Sequence, residues 1–216
     1  MFTGIINEVG SVRAADAEGG NVRLTVGAPR SAPRLSTGSS IAVNGICLTA
    51  VAVTAGGFTA EVVEETLRKS ALRDQAARGQ VNLELPLRAD GLIDGHLVLG
   101  HVDTTAVVAS IEERGESWWF SIRIPAAFLR YVVHTGSIAV DGVSLTVAEI
   151  AGDLCRISII PHTMQNTIFR LYRPSDRVNI EVDVIGKYVE RMLASGGAGT
   201  GPKPGLSIDA LKSQGY

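Results

Sequence analysis

Ser40-Ile41-Ala42-Val43-Asn44-Gly45-Ile46-Cys47-Leu48-Thr49 returns almost unchanged as Ser137-Ile138-Ala139-Val140-Asp141-Gly142-Val143-Ser144-Leu145-Thr146. Val43 and Val140 lie 97 positions apart. Val81-Asn82-Leu83-Glu84-Leu85 returns at the same spacing as Val178-Asn179-Ile180-Glu181-Val182. Two anchors at one offset identify a tandem duplication, so the fold is one unit of about ninety residues used twice. Two related pockets then suit two similar ligands, or one ligand held between unlike halves.

At 216 residues the chain fits two small domains, and 45% apolar residues supply a core for each. Only 19% of residues are charged and the net charge is −2, which gives no general attraction for nucleic acid or an anionic membrane. Met1-Phe2-Thr3-Gly4-Ile5-Ile6-Asn7-Glu8 lacks the basic start and apolar run of a signal peptide. No apolar run approaches the roughly 20 residues that span a bilayer. Cys47 and Cys155 form no metal-ligand spacing. The expectation is a soluble protein in the reducing cytoplasm.

Most of the chain reads as short strands. Residues 22–26, 58–63 and 119–124 alternate or nearly alternate, with β-branched and aromatic residues enriched. Glycine-bearing turns separate them at Gly19-Gly20, Gly56-Gly57, Gly115 and Gly152. This pattern favours a small closed barrel or a sandwich over a parallel sheet. Three helical pieces are expected, over residues 64–72, 125–133 and 186–193. The last has no counterpart in the first unit and carries Tyr188, Val189, Met192 and Leu193 along one side. Self-association is its favoured use, with packing on its own barrel as the alternative. The boundaries are set at residues 1–96 for the first unit, 97–184 for the second, 185–194 for the helix and 195–216 for a flexible tail. A last weak helical turn is expected over 207–215.

Chemistry is sparse. No phosphate loop, dinucleotide fingerprint or nucleophile elbow is present. Cys47 and Ser144 occupy one slot in the two copies, with Thr49 and Thr146 two residues on, which points each pair to one face of a strand. Either that face touches a ligand or small polar residues fit a tight barrel corner. His101 stands where the first copy has Ile5, and Asp183 where it has Pro86. An asymmetric His and Asp would place acid–base groups on one side only. Both also have ordinary roles, as a surface histidine and as the charge before a helix.

These residues carry a family resemblance. Met1-Phe2-Thr3-Gly4-Ile5, Asn44-Gly45-Ile46-Cys47-Leu48-Thr49, Glu65-Thr66-Leu67-Arg68, Gly100-His101-Val102-Asp103, the Val140 to Val147 stretch and Lys187-Tyr188-Val189-Glu190-Arg191 resemble the riboflavin synthase alpha chain family in order and spacing. The resemblance covers residues 1–193. It implies an all-β fold of two six-stranded antiparallel Greek-key barrels and a C-terminal helix that assembles a homotrimer. It implies that each barrel binds one 6,7-dimethyl-8-ribityllumazine, with the active site where the first barrel of one subunit faces the second barrel of another. The implied reaction is a dismutation in which one lumazine gives a four-carbon unit to the other, with no metal or organic cofactor because the electron-poor ring is its own electron sink. Association with lumazine synthase is a partner question that it raises.

Carried over by position, the first ligand would meet Gly4, Ile5, Ile6, Cys47, Leu48, Thr49 and the run Glu61, Val62, Val63, Glu64, Glu65, Thr66. The second would meet Gly100, His101, Val102, Ser144, Leu145, Thr146 and the run Ile159, Ile160, Pro161, His162, Thr163, Met164, with Thr135 beside it. Phe2, Cys47, His101, Ser144, Thr146 and Asp183 are the positions marked for catalysis. His101, Ser144 and Asp183 would move protons, while Cys47 and Thr49 would stabilise the attacked ring. Three positions depart from the family pattern: Thr135 for lysine, Leu85 for arginine and Asp94 for glycine. Losing the ammonium at Thr135 keeps a second reading open, a lumazine- or flavin-binding paralogue of the same fold without turnover.

Overall fold

The computed structural model describes residues 1–196. The expected weak turn over 207–215, and the tail from 197 onward, lie outside the described residues. Two units are treated separately: Met1–Val184, which holds every strand, and Ile185–Tyr216.

The first barrel is built from β1 (Glu8–Glu18), β2 (Asn21–Gly27), β3 (Ser40–Val43), β4 (Ile46–Thr54), β5 (Gly57–Val62) and β6 (Gln80–Glu84). It closes antiparallel in the order β1-β2-β5-β4-β3-β6. The second uses β7 (Thr104–Arg114), β8 (Ser117–Arg123), β9 (Ser137–Val140), β10 (Val143–Ala151), β11 (Leu154–Ile159) and β12 (Arg177–Val182), and repeats the same pattern. Three short helices lie among them, α1 (Glu64–Lys69), α2 (Leu72–Ala76) and α3 (Pro161–Asn166), and α4 (Val184–Gly196) ends the described chain.

The repeated stretch that opened the sequence is a hairpin in each half. Asn44 and Gly45 have φ of 47° and 75°, and Asp141 and Gly142 have φ of 45° and 78°. Positive φ at both central residues defines the two-residue turn that Asn-Gly and Asp-Gly favour, because it matches strand twist. Register shifts fall at equivalent places, Val12/Ala14 and Ala50/Ala52 in one barrel, Val108/Ser110 and Val147/Glu149 in the other. Such bulges bend strands enough to close a narrow barrel. Leu24, Val26, Ile41, Phe58 and Leu83 fill the first interior, and Phe120, Ile122, Ile138, Ile157 and Phe169 the second.

The barrels meet through the hairpin tips. A Cβ on Gly45 would stand 2.7 Å from the Gly142 nitrogen, and one on Gly142 would stand 2.7 Å from the Gly45 nitrogen. Around these tips lies a buried polar network. Asn44 donates to Gln75 Oε1 at 2.8 Å, Gln75 donates to Asp141 Oδ1 at 2.6 Å, and the Asn179 side chain donates to the Asn44 carbonyl at 2.9 Å. Tyr172 donates to the second Asp141 oxygen. Buried polar groups satisfied this fully fix one arrangement of the two barrels.

The helix expected over 64–72 is instead broken between α1 and α2. Ser70 is extended at φ −120°, its hydroxyl donates to the Thr66 carbonyl at 2.7 Å, and the Ala71 N–H goes to Asn179 Oδ1 at 2.7 Å. The inter-barrel network thus takes a donor that a continuous helix would need. The expected helix over 125–133 is a 3-10 turn, Ala126–Tyr131. α4 runs to Gly196, two residues into the stretch expected to be tail, and exposes Ile185, Tyr188, Val189, Met192 and Leu193. Among the described residues, no helix is long and apolar enough to cross a membrane.

Candidate active site

The segments that lead into the two barrels run past each other. Phe2 donates its N–H to the Val98 carbonyl at 2.7 Å and accepts from the Val98 N–H at 3.1 Å. Each segment then docks on the opposite barrel. The Ser144 N–H donates to the Gly4 carbonyl at 2.8 Å, and the Cys47 N–H donates to the Gly100 carbonyl at 2.8 Å. Gly4 and Gly100 have φ of 78° and 81°, and a Cβ on either would lie 2.6 Å from the Cβ of Ser144 or Cys47. Only glycine fits.

Two buried carboxylates hold these crossings. Glu84 accepts from Thr3 N–H at 2.7 Å, Thr3 Oγ1 at 2.9 Å and Gly4 N–H at 3.0 Å. Glu181 accepts from Leu99, Gly100 and His101 N–H groups at 2.6, 3.0 and 3.0 Å. Burial pushes the Glu84 carboxyl above the usual range, against the opposing pull of the Thr3 and Gly4 hydrogen bonds.

Two cavities lie beside the crossings, one against each barrel. One, of about 210 Å³, is lined by Cys47, Glu65, Thr66, Lys69, Gly100, His101 and Val102 among others. Lys69 and Arg68 hold the exposed Glu65 carboxyl below its ordinary range. The other, of about 410 Å³, is lined by Ile6, Asn7, His162, Asn166 and Arg170 among others and lies beside Ser144 without including it. Under the duplication Glu65 corresponds to His162, Lys69 to Asn166 and Val102 to Ile6, so the two cavities overlap at these three positions and differ in polar content. A larger cavity of about 530 Å³ sits on the flank of the first barrel. Its titratable groups are Arg13 and Arg73, so it offers no general acid or base near neutral pH.

Beside Gly4, Ser144 meets a second histidine. His96 Nδ1 lies 2.7 Å from Ser144 Oγ, and the His96 backbone N–H donates to the Thr3 carbonyl at 3.1 Å. Burial pushes its imidazole pKa down, opposed by the nearby Asp183 carboxylate.

A model of the lumazine binding domain matches the chain twice, at residues 3–86 and 99–183. A riboflavin synthase from Bacillus subtilis is 42% identical over 193 residues, covering 89% of this chain and 90% of that protein. One from Actinobacillus pleuropneumoniae is 39% identical over 216 residues and all of both chains. The chain belongs to the riboflavin synthase family. One from Mycobacterium tuberculosis is 42% identical over 203 residues, 91% of this chain and 100% of its own. A crystal structure of LumP complexed with riboflavin superposes with a TM-score of 0.78 at 22% identity, over 84% of this chain and 99% of that one. That likeness concerns the fold.

Within this family framework the expected residues are regrouped. Position alone put Gly4, Ile5 and Ile6 with Cys47, and Gly100, His101 and Val102 with Ser144. The structure reverses this, because each leading segment crosses to the other barrel. His101 therefore shares a pocket with Cys47, and Ser144 lies within hydrogen-bond distance of His96. Cys47 and Thr49, like Ser144 and Thr146, point outward from their strands. Leu48 turns inward to the first core and Leu145 packs against the second, so their backbones alone face the site. Val62 and Ile159 are likewise fully buried.

Phe2, one of the positions marked for catalysis, lies in the interior. It is 0% exposed and packs with Ala42, Val98, Ala139 and Cys47, and a Cβ on Gly100 would lie 3.0 Å from its ring. By contrast Ile5, Val63 and Ile160 are large apolar residues left exposed beside the pockets. Glu61, Glu64, Pro161 and Thr135 are exposed, while Thr163, Met164 and Asp183 are half-buried. Sequence reasoning missed His96, since its counterpart 97 residues on is Leu193 and the repeat draws no attention to it. It also missed Glu84 and Glu181, although both stand in the second repeated anchor.

Proposed function

We propose that the protein catalyses the dismutation of two 6,7-dimethyl-8-ribityllumazine molecules to riboflavin and 5-amino-6-(D-ribitylamino)uracil, the final step of riboflavin biosynthesis. The observation that carries this reading is the pair of equivalent crossings, Gly4 on Ser144 and Gly100 on Cys47, which present matching strand faces with unlike side chains. One substrate taken in two roles asks for that: the same recognition twice, with different proton chemistry at each copy. The atoms of two lumazines equal those of the two products, so the reaction needs no co-reactant.

In the Cys47 pocket, Cys47, Thr49 and His101 stabilise the ring that is attacked and serve its protons. In the Ser144 pocket, Ser144, Thr146 and Asp183 handle protons of the partner lumazine, and Ile5, Val63 and Ile160 offer apolar contact for the heterocycles. Rate comes from holding two rings together and from positioned acid–base groups, worth about 10²–10⁴-fold for the latter.

A volume of about 210 Å³ falls below the roughly 300–1,000 Å³ of pockets that enclose a ligand, which supports a site completed by a second chain. The exposed apolar row of Ile185, Tyr188, Val189, Met192 and Leu193 supports self-association through α4, and we infer a homotrimer that works in the cytoplasm. Lumazine synthase would supply the substrate, and co-sedimentation of the two purified proteins tests whether they associate.

The function is tested by mixing purified protein with the ribityllumazine. One riboflavin formed per two lumazines consumed is expected. Quenched lumazine fluorescence without riboflavin would instead show the binding-only paralogue, for which Thr135 in place of lysine speaks.

A further inference from the structure

We propose that the recess on the flank of the first barrel binds a medium-chain saturated carboxylic acid, with the chain in the recess and the carboxylate on Arg73. The recess shares no lining residue with the cavities beside the crossings, so the proposal stands independently of the functional reading above.

The recess exists because the two barrels are filled differently. Ala15 faces Leu24 across β1 and β2, as Ile111 faces Phe120 across β7 and β8. Val22 stands where the second barrel has Trp118, and Leu72 where it has Phe169. In the second barrel these larger side chains occupy the space. Ile111 and Trp118 pack on the core, and the Phe120 and Phe169 rings meet edge to face at 5.1 Å. In the first barrel the smaller residues leave about 530 Å³ beside β1, β2, α1 and α2. That volume lies within the roughly 300–1,000 Å³ of small-molecule pockets.

The lining selects the ligand. Apart from Arg13 and Arg73, every lining residue is Val, Leu, Ala or Gly. The side chains therefore offer no aromatic ring for stacking and no acceptor for the N–H edge of a heterocycle, whereas an aliphatic chain needs apolar contact alone. Leu24, Leu67 and Leu72 are buried at the floor, and both arginines are exposed. Arg13 is engaged, donating to the Gly56 carbonyl at 3.0 Å. Arg73 has no ion pair or side-chain hydrogen bond among the described residues, and its neighbour Asp74 is paired with Arg177 at 3.4 Å. No carboxylate lines the recess. A guanidinium matches the two oxygens of a carboxylate with paired N–H groups. The counterpart Arg170 instead donates to the Gln165 and Thr167 carbonyls, so the available guanidinium, like the space, belongs to the first barrel.

Calorimetric titration of the intact protein with decanoate tests the site. Saturable binding is expected, and its absence overturns the proposal. Ala15→Ile and Val22→Trp give the first barrel the residues that fill the second, and each is expected to weaken binding about tenfold or more. Arg73→Gln is expected to weaken decanoate about tenfold while leaving decanol unchanged. Because Arg73 is exposed, that variant decides the matter even if the filled variants fail to fold. Equal affinity of the parent for decanoate and decanol refutes the head-group assignment, and full binding by folded Ala15→Ile and Val22→Trp proteins refutes the location. Displacement of decanoate by riboflavin would give the recess to a heterocycle and overturn the proposal.

Discussion

At the scale of single residues, Thr135 carries a cost that its counterpart avoids. It holds φ of 60°, and Gly38, at the same point of the first barrel, holds 92°. The Thr135 N–H donates to the Val147 carbonyl at 2.9 Å, as Gly38 does to Ala50 at 2.8 Å, so barrel closure imposes the left-handed turn on a β-branched residue. Left-handed backbone costs an ordinary residue about 1–2 kcal/mol, and asparagine tolerates it better. Thr135→Asn should therefore stabilise the protein by about 0.5–1 kcal/mol in urea unfolding; a loss of stability would refute the strain. Other single residues differ in how visible they were. Cys47 and Ser144 were legible because the duplication superposes them. His96 was not, because its partner lies 48 positions away and they meet only through the crossing of Thr3 and Gly4 over the second barrel.

Among the elements, the hairpins were legible from Asn-Gly and Asp-Gly, whose backbone preferences are local. The exchange of leading segments was not. Gly4 and Gly100 begin equivalent repeats, and nothing local says which barrel each will rest on. That choice is made by Glu84 and Glu181, each bonded to backbone N–H groups on its own leading segment while that segment lies over the other barrel's strand. The break between α1 and α2 was hidden for the same reason, since its cause is Asn179 in the second repeat. Replacing a buried acceptor leaves donors unpaired at about 1–3 kcal/mol. Glu181→Gln should lower stability by that amount and speed hydrogen exchange at Leu99, Gly100 and His101, slowing turnover through the Cys47 pocket. Unchanged exchange at those three amides would contradict the clamp.

For the whole molecule, the polar network between the barrels ties assembly to pH. Burial raises the Asp141 carboxyl from 3.8 to about 7, against the Tyr172, Asn179 and Gln75 hydrogen bonds. Between those values the folded protein keeps a proton that the unfolded chain has released, so stability falls as pH rises from about 4 to about 7. The raised Glu84 acts in the same sense. Asp141→Asn, which copies Asn44 of the first hairpin, should flatten that decline in urea unfolding at several pH values; an unchanged slope would contradict it. Beyond one chain, the proposed function requires copies to meet, with the Cys47 site of one facing the Ser144 site of the next. Subunit mixing measures this most directly. Thr66→Trp blocks the first pocket and the equivalent Thr163→Trp blocks the second, each inactivating its own homotrimer. If sites form between chains, unfolding and refolding the two variants together restores riboflavin formation, because some interfaces then join two intact pockets. Mixed trimers that stay inactive would contradict it.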